Sequence, residues 1–372
     1  MKHSVLASIA ISACVVLAPA TRTFAQDRGG APEQALAASK SGTTIPMSAY
    51  SIVQTKVNGE KALTGTLAGG NPFSNPPTGS VINAVVVPTI FDIGGTIFDP
   101  TAPNSCDSGY TALNRFNFSP LVQPTNLTFN GVNVGNVQYT DGFMRAEFWN
   151  VTGGNPAYSN PISFSTAAPV TIAAGANGIT SGSGCDLTGV VSRAFLNSQI
   201  ASLLQTLANS GVISTTKVVL FLANHVVVSS ASPPTPPGTP TCCYYGYHAA
   251  SGSPPQIYAF IDYQLGNDVG VAAKQIAELM NDPLVNNATP AWGAVGIVPG
   301  CQGILEVGDP LVGTGIKKII TLNGFDYHLP EFAYFSWFFN SPSTPSLGAG
   351  GIFSSNGSFV GPSKTCPPGG TY

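Results

Sequence analysis

"VAAKQIAELMNDPLVNN", residues 271–287, decides how this chain is read. Asn267 or Asp268 is placed to cap a helix here, and Val269, Ala272, Ile276 and Leu279 or Met280 recur at the helical period. Asn281-Asp282-Pro283 then breaks it. Lys274 and Glu278 stand at i and i+4, one above the other on a single face. A zinc helix of the H-E-x-x-H type uses that same spacing for two metal ligands, with a Glu at i+1 to activate the bound water. Here the pattern is Lys274-Gln275-x-x-Glu278. A lysine is cationic near neutral pH and Gln275 cannot take a proton from water. From the residues alone, the simplest reading is an i,i+4 ion pair on an amphipathic helix.

Upstream of that helix, the chain opens as an exported protein would. A short basic start at Met1-Lys2-His3 precedes an apolar run from Val5 to Leu17, then small residues up to Ala25. That layout predicts a signal peptide over 1–25, cleaved near Ala25, with a run too short to span a membrane. The competing leader is a lipoprotein box ending at Cys14, but the apolar segment continues past that cysteine. Six cysteines remain: Cys106, Cys185, Cys242, Cys243, Cys301 and Cys366. An even count without any CxxC spacing favours disulfides over zinc. Cys242 and Cys243, being adjacent, are expected to pair with two separate distant partners.

Of 14 Lys and Arg, Lys2 and Arg22 fall in the leader, which leaves 12 against 17 acidic residues and a net charge of about −5. Charged residues are only 8% of the chain and no basic cluster occurs, so nucleic acid and anionic membrane are poor candidates for partners. Nucleophile motifs are also missing: "SGSGCDLTG" holds no G-x-S-x-G elbow, and "GAGG" and "LAGGN" lack the strand–helix setting of a phosphate loop.

Residues 26–47 read as a tail, and 48–372 as a single α+β domain with a β-rich N-terminal part. Hairpins are expected at Gly94-Gly95 and Asn130-Gly131, a helix from Thr140 or Asp141, and a longer helix over 192–211. Buried strands follow at 217–228 and 256–264, a further strand at 317–325, and the aromatic run "FAYFSWFF" reads as core. His225 is expected to be a hydrogen-bonded core histidine, and Asp141 with Arg145 an i,i+4 pair.

Several segments together carry a resemblance: "QYTDGFMRAEFWN" (138–150), "CCYYGYHAA" (242–250), "KQIAELMNDPLVNNATPAWG" (274–293), "GCQGILEVGDPL" (300–311) and "FAYFSWFF". They resemble a family of secreted bacterial proteins of poorly defined function, itself distantly similar to the plant EXORDIUM, or phosphate-induced, proteins. The likeness covers roughly 80–360. It implies a zincin-like α+β fold over about 190–340, with a helix bearing His-Glu at its first two positions and Glu at the fifth. Glu278 and Asp282-Pro283 match that pattern, whereas Lys274 and Gln275 replace the first ligand and the catalytic base. Downstream, Glu306 and Asp309 are the third-ligand candidates, with His328 and His248 as further ones.

The expectation is therefore a secreted, disulfide-stabilised, zincin-like protein whose metal helix is degenerate. It would need no cofactor and act by binding an extracellular ligand, polymer or peptide at the envelope or matrix. In this account the Lys274 ammonium takes the place of the cation beside Glu278 and one of Glu306 or Asp309. The alternatives are a zinc-dependent peptidase or hydrolase using Glu278, Glu306, Asp309 and His328, and a purely structural envelope protein.

Overall fold

The computed structural model describes residues 45–54, 63–293, 301–315, 317–339, 346–347 and 352–359. The leader, most of the tail, Cys14 and Cys366 lie outside them.

Strands β1 (Ala49–Gln54) and β2 (Leu63–Ala68) pair antiparallel. The long β3 (Ile82–Ile93) then turns through Gly94-Gly95 into β4 (Thr96–Phe98). Both glycines have positive φ, +60° and +85°, which a tight hairpin demands. Helix α1 (Ala112–Asn117) leads to the hairpin β5 (Thr125–Phe129) and β6 (Val132–Val137), which turns at Asn130-Gly131 as expected. Next come α2 (Tyr139–Glu147), α3 (Trp149–Thr152), β7 (Ile162–Thr166) and β8 (Val170–Ala173). Strands β9 (Gly178–Ser181) and β10 (Thr188–Ser192) precede α4 (Arg193–Asn209), whose cap Ser192 accepts from the Phe195 amide. The predicted strand 217–228 is in fact two, β11 (Lys217–Asn224) and β12 (Val226–Ser229). His225 breaks it with φ +55° and sends the chain into a different sheet. Strands β13 (Cys242–Tyr244), β14 (Gly246–Ser251) and β15 (Gln256–Tyr263) follow, then α5 (Gly270–Asn281). Two hairpins, β16 (Ala288–Gly293) with β17 (Cys301–Ile304) and β18 (Lys317–Leu322) with β19 (Phe325–Pro330), lead to α6 (Phe335–Phe338).

The central sheet runs β14-β15-β11-β3-β4, with β7 and β8 also paired to β3. β15, β11 and β3 are parallel, and β14 is an antiparallel strand at the end of the order. Their near-continuous apolar sequences follow from burial on both faces. On one face Val85, Val87, Val219, Phe221 and Phe260 pack under Leu196, Ile200, Leu204 and Leu207 of α4. On the other, Ala84, Val86, Leu220, Leu222 and Ile261 meet α2, α5 and the aromatic run, Phe332 to Phe339, which is core as expected. A smaller sheet, β13-β12-β10-β9, lies beside it.

Helix α5 departs from the amphipathic expectation, because every residue from Val271 to Asn281 is buried. Asp268 does not supply a conventional cap either; Val269 occupies that position, with no side-chain cap bond. The Asp268 carboxylate instead holds His328, accepting from its amide and contacting its Nδ1, both at 2.9 Å. The cysteines differ too. Cys106 bonds Cys185, but Cys242 and Cys243 bond each other rather than two distant partners. Cys301 is also disulfide-bonded.

Candidate functional site

The site forms where α5 lies against β14, β15 and the segment after β17. Two glycines let these elements meet. A Cβ at Gly246 would fall 2.7 Å from Val271 of α5, and one at Gly308 would fall 2.7 Å from Lys274 Cγ and 3.0 Å from Glu278 Oε1. The Lys274 stem is therefore clamped against the backbone at Gly308. Its ammonium reaches both flanking acids, 3.0 Å from Glu278 Oε2 and 2.8 Å from Asp309 Oδ1. These side chains are 11%, 1% and 7% exposed, so the pair is buried and not the solvated helix pair that spacing alone suggests.

Around this triad lies a cleft of about 40 Å3, bordered by Arg193, Tyr244, His248, Gln275, Gln302 and Glu306 among others. Burial, reinforced by the negative charges of Glu278 and Asp309, holds the Glu306 carboxyl well above the usual carboxylate range. Lys274 thus sets one ammonium against two carboxylates, Glu278 and Asp309, with the Glu306 carboxyl alongside in the same cleft. Burial, together with the Lys274 charge, pushes His248 down to about 4. Its imidazole is neutral at physiological pH. Nε2 lies 3.1 Å from the Asp282 carbonyl and therefore carries the proton; Nδ1 faces the Gln275 amide at 3.3 Å. Asp282 ends the helix: its carboxylate accepts from the amides of Asn286 (2.9 Å) and Asn287 (3.0 Å). Burial raises its pKa to about 7.

Of the residues singled out in the sequence, the fold brings Lys274, Gln275, Glu278, Glu306, Asp309 and His248 to one cleft. His328 stands apart, on Asp268 in the β19 strand, and belongs to a neighbouring recess bordered by Lys317 and Glu331. Gly308, Gln302 and Arg193 carried no sequence signal, because their contribution depends on contacts made only in the folded chain. Arg145 and Asp141 form the expected i,i+4 pair, at 3.6 Å.

The residues do not fit the zinc site that the resemblance implies. Its first ligand position holds an ammonium, which has donors and no lone pair to offer a metal. The neighbouring position holds an amide that cannot act as a base. A different donor set does converge: ligand atoms of His248, Glu278 and Glu306 all lie within 4.8 Å of one another. Comparisons with protein-family models, curated proteins and solved structures return no match to this chain. Among the described residues no helix is long and apolar enough to cross a membrane.

Proposed function

We propose that this chain is an exported, non-catalytic binding protein on a zincin-like frame, in which an internal ammonium takes the place of a metal ion. The observation that carries this reading is Lys274 between Glu278 and Asp309, at 3.0 and 2.8 Å in a buried cleft. A cation or a proton is needed there, because carboxylates brought together out of water otherwise repel each other, and the Lys274 ammonium supplies the cation. Lysine meets that requirement without metal, and Gln275 offers no base at the position a zinc helix uses for one. The topology supports the frame: a parallel run of β15, β11 and β3 that β7 and β8 extend on β3, an antiparallel strand β14 at its edge, and α5 following β15 across that edge. Disulfides in the chain support export. The ligand in this reading, an extracellular peptide or polymer, would lie across the mouth of the cleft, whose volume of about 40 Å3 admits only one small group.

A second reading rests on the His248, Glu278 and Glu306 convergence, which favours a metal-dependent hydrolase with atypical ligands. Elemental mass spectrometry on mature protein made in zinc-sufficient medium without a His-tag separates the two. The proposal expects far less than one metal per chain. About one zinc per chain, lost on Glu278→Ala, would replace it with the hydrolase reading.

A further inference from the structure

A second cavity, of about 410 Å3, opens at the carboxyl end of β11, away from the Lys274 cleft. Its size falls in the roughly 300–1,000 Å3 range of small-molecule sites, and the carboxyl end of parallel strands is where open α/β sheets place ligands. One wall is apolar, made by Ile97 and Phe98 of β4, Pro103 and the Cys106–Cys185 disulfide. Asn224 and His225 form the polar end.

His225 is held there by its backbone, which donates to the Tyr263 carbonyl (2.9 Å) and accepts from the Gly189 amide (2.8 Å). Those two bonds tie the central sheet to the smaller one and hold His225 at φ +55°, a conformation that a side chain disfavours. The residue is only 9% exposed, and its Nε2 has no partner in the protein. Asn224 Oδ1, next to it, is also buried without a partner. Unpaired polar atoms destabilise a fold, and two of them with a strained backbone at the end of one cavity point to a molecule that satisfies them.

The lining also limits what that molecule is. No Lys or Arg borders the cavity, so an anion finds no counter-charge. The bordering Asp99 carboxylate takes the Thr101 amide and hydroxyl on one oxygen, Oδ1, both at 2.7 Å, which uses part of its acceptor capacity within its own turn. An amide oxygen beside an imidazole suits hydroxyl groups, which both donate and accept. The apolar wall suits the C–H face of a ring. We infer that this cavity binds a neutral saccharide, its hydroxyls on Asn224 and His225 and its carbon face against Ile97 and Pro103. The site is independent of how the Lys274 cleft is read.

The test is saturation-transfer NMR on the mature protein with cellobiose, lactose and N,N′-diacetylchitobiose, each at millimolar concentration. Transfer to ring protons of at least one disaccharide is expected, falling at least tenfold in Ile97→Asp and in His225→Asn. Ile97 is 57% exposed, so its substitution leaves the fold intact, and Asn tolerates positive φ at 225. Ile319→Asp, at a position 60% exposed on β18 and outside both clefts, should leave the signal unchanged. No transfer from any of the three sugars, or transfer that survives Ile97→Asp, overturns the inference.

Discussion

Replacing Lys274 by alanine tests the central claim about the cleft. Each of its two contacts, at 3.0 and 2.8 Å, has a gross attraction of about 6 kcal/mol at an effective dielectric near 20. Desolvation of the ammonium offsets much of that. Breaking a buried pair from one side nevertheless costs about 3–5 kcal/mol, because the partners stay buried and unpaired. In Lys274→Ala, Glu278 and Asp309 lose their shared cation beside Glu306. The variant then folds most easily by taking up protons. A carboxyl whose folded pKa is raised destabilises the native state above its unfolded pKa, so the deficit should widen as pH rises from about 5 to 8. Urea unfolding followed by tryptophan fluorescence measures this, since Trp292 and Trp337 are 0% and 2% exposed. Lys274→Met keeps most of the stem against Gly308 and should lose nearly as much as alanine, which separates charge from packing. Adding Glu278→Gln and Asp309→Asn to Lys274→Ala should restore a large part of the loss. A deficit below about 1 kcal/mol that does not vary with pH would refute the idea that Lys274 neutralises a buried acidic cluster.

Burial pushes Glu147 up to about 8 from its ordinary value of 4.5, although it accepts from the Phe335 amide at 2.9 Å. Its protonated form is the one the fold favours, so stability should fall as pH rises from about 4.5 to 8, and Glu147→Gln should flatten that slope by a few kcal/mol in pH-dependent urea titrations. His248 acts in the opposite sense: with its pKa lowered to about 4, stability should drop as pH falls from about 6.5 towards 4, and His248→Asn should remove that acid-side loss. Gly308→Ala should displace the Lys274 stem and cost about 1–3 kcal/mol by overpacking, visible as a lowered Tm. Opening the Cys106–Cys185 bridge with paired serines frees a loop with a sequence separation of 79, and chain entropy sets that loss at about 4.5 kcal/mol.

Elements that announce themselves locally were legible in the sequence. The glycine pairs marked hairpins because few other residues reach positive φ, and α4 showed its period, its Ser192 cap and its Gly211 end. His225 hid the break between β11 and β12, since an apolar run on both sides looks the same whether the strand continues or changes sheet. Helix α5 was misjudged in environment. Lys274, Gln275, Glu278 and Asn281 are polar letters on a face that periodicity assigns to water, yet the fold buries that face under β14 and the residues after β17. The adjacent cysteines were misjudged for a related reason. Sequence adjacency argues against a mutual bond in ordinary backbone geometry, whereas here Cys242 and Cys243 are joined at the corner where β13 passes from the small sheet towards β14.

The substitutions at 274 and 275 make sense only as a pair with what surrounds them, and reversal tests that. Lysine alone at 274 would look like one half of an exposed i,i+4 bridge, worth a few tenths of a kcal/mol. Asp309, 35 positions away in the chain, makes it a buried three-group cluster. If the ammonium stands in for a cation, then Lys274→His with Gln275→Glu should convert the cleft into one that needs a metal. Without metal, the double variant should be destabilised by an amount comparable to Lys274→Ala, because Glu278 and Asp309 again lack a counter-charge. Zinc should recover that stability, by RT ln(1 + [Zn]/Kd), while leaving the parent chain unmoved. Calorimetry with and without zinc reads both effects. A double variant as stable as the parent without zinc, and indifferent to its addition, would mean that the cluster never required a cation and that Lys274 is only packing.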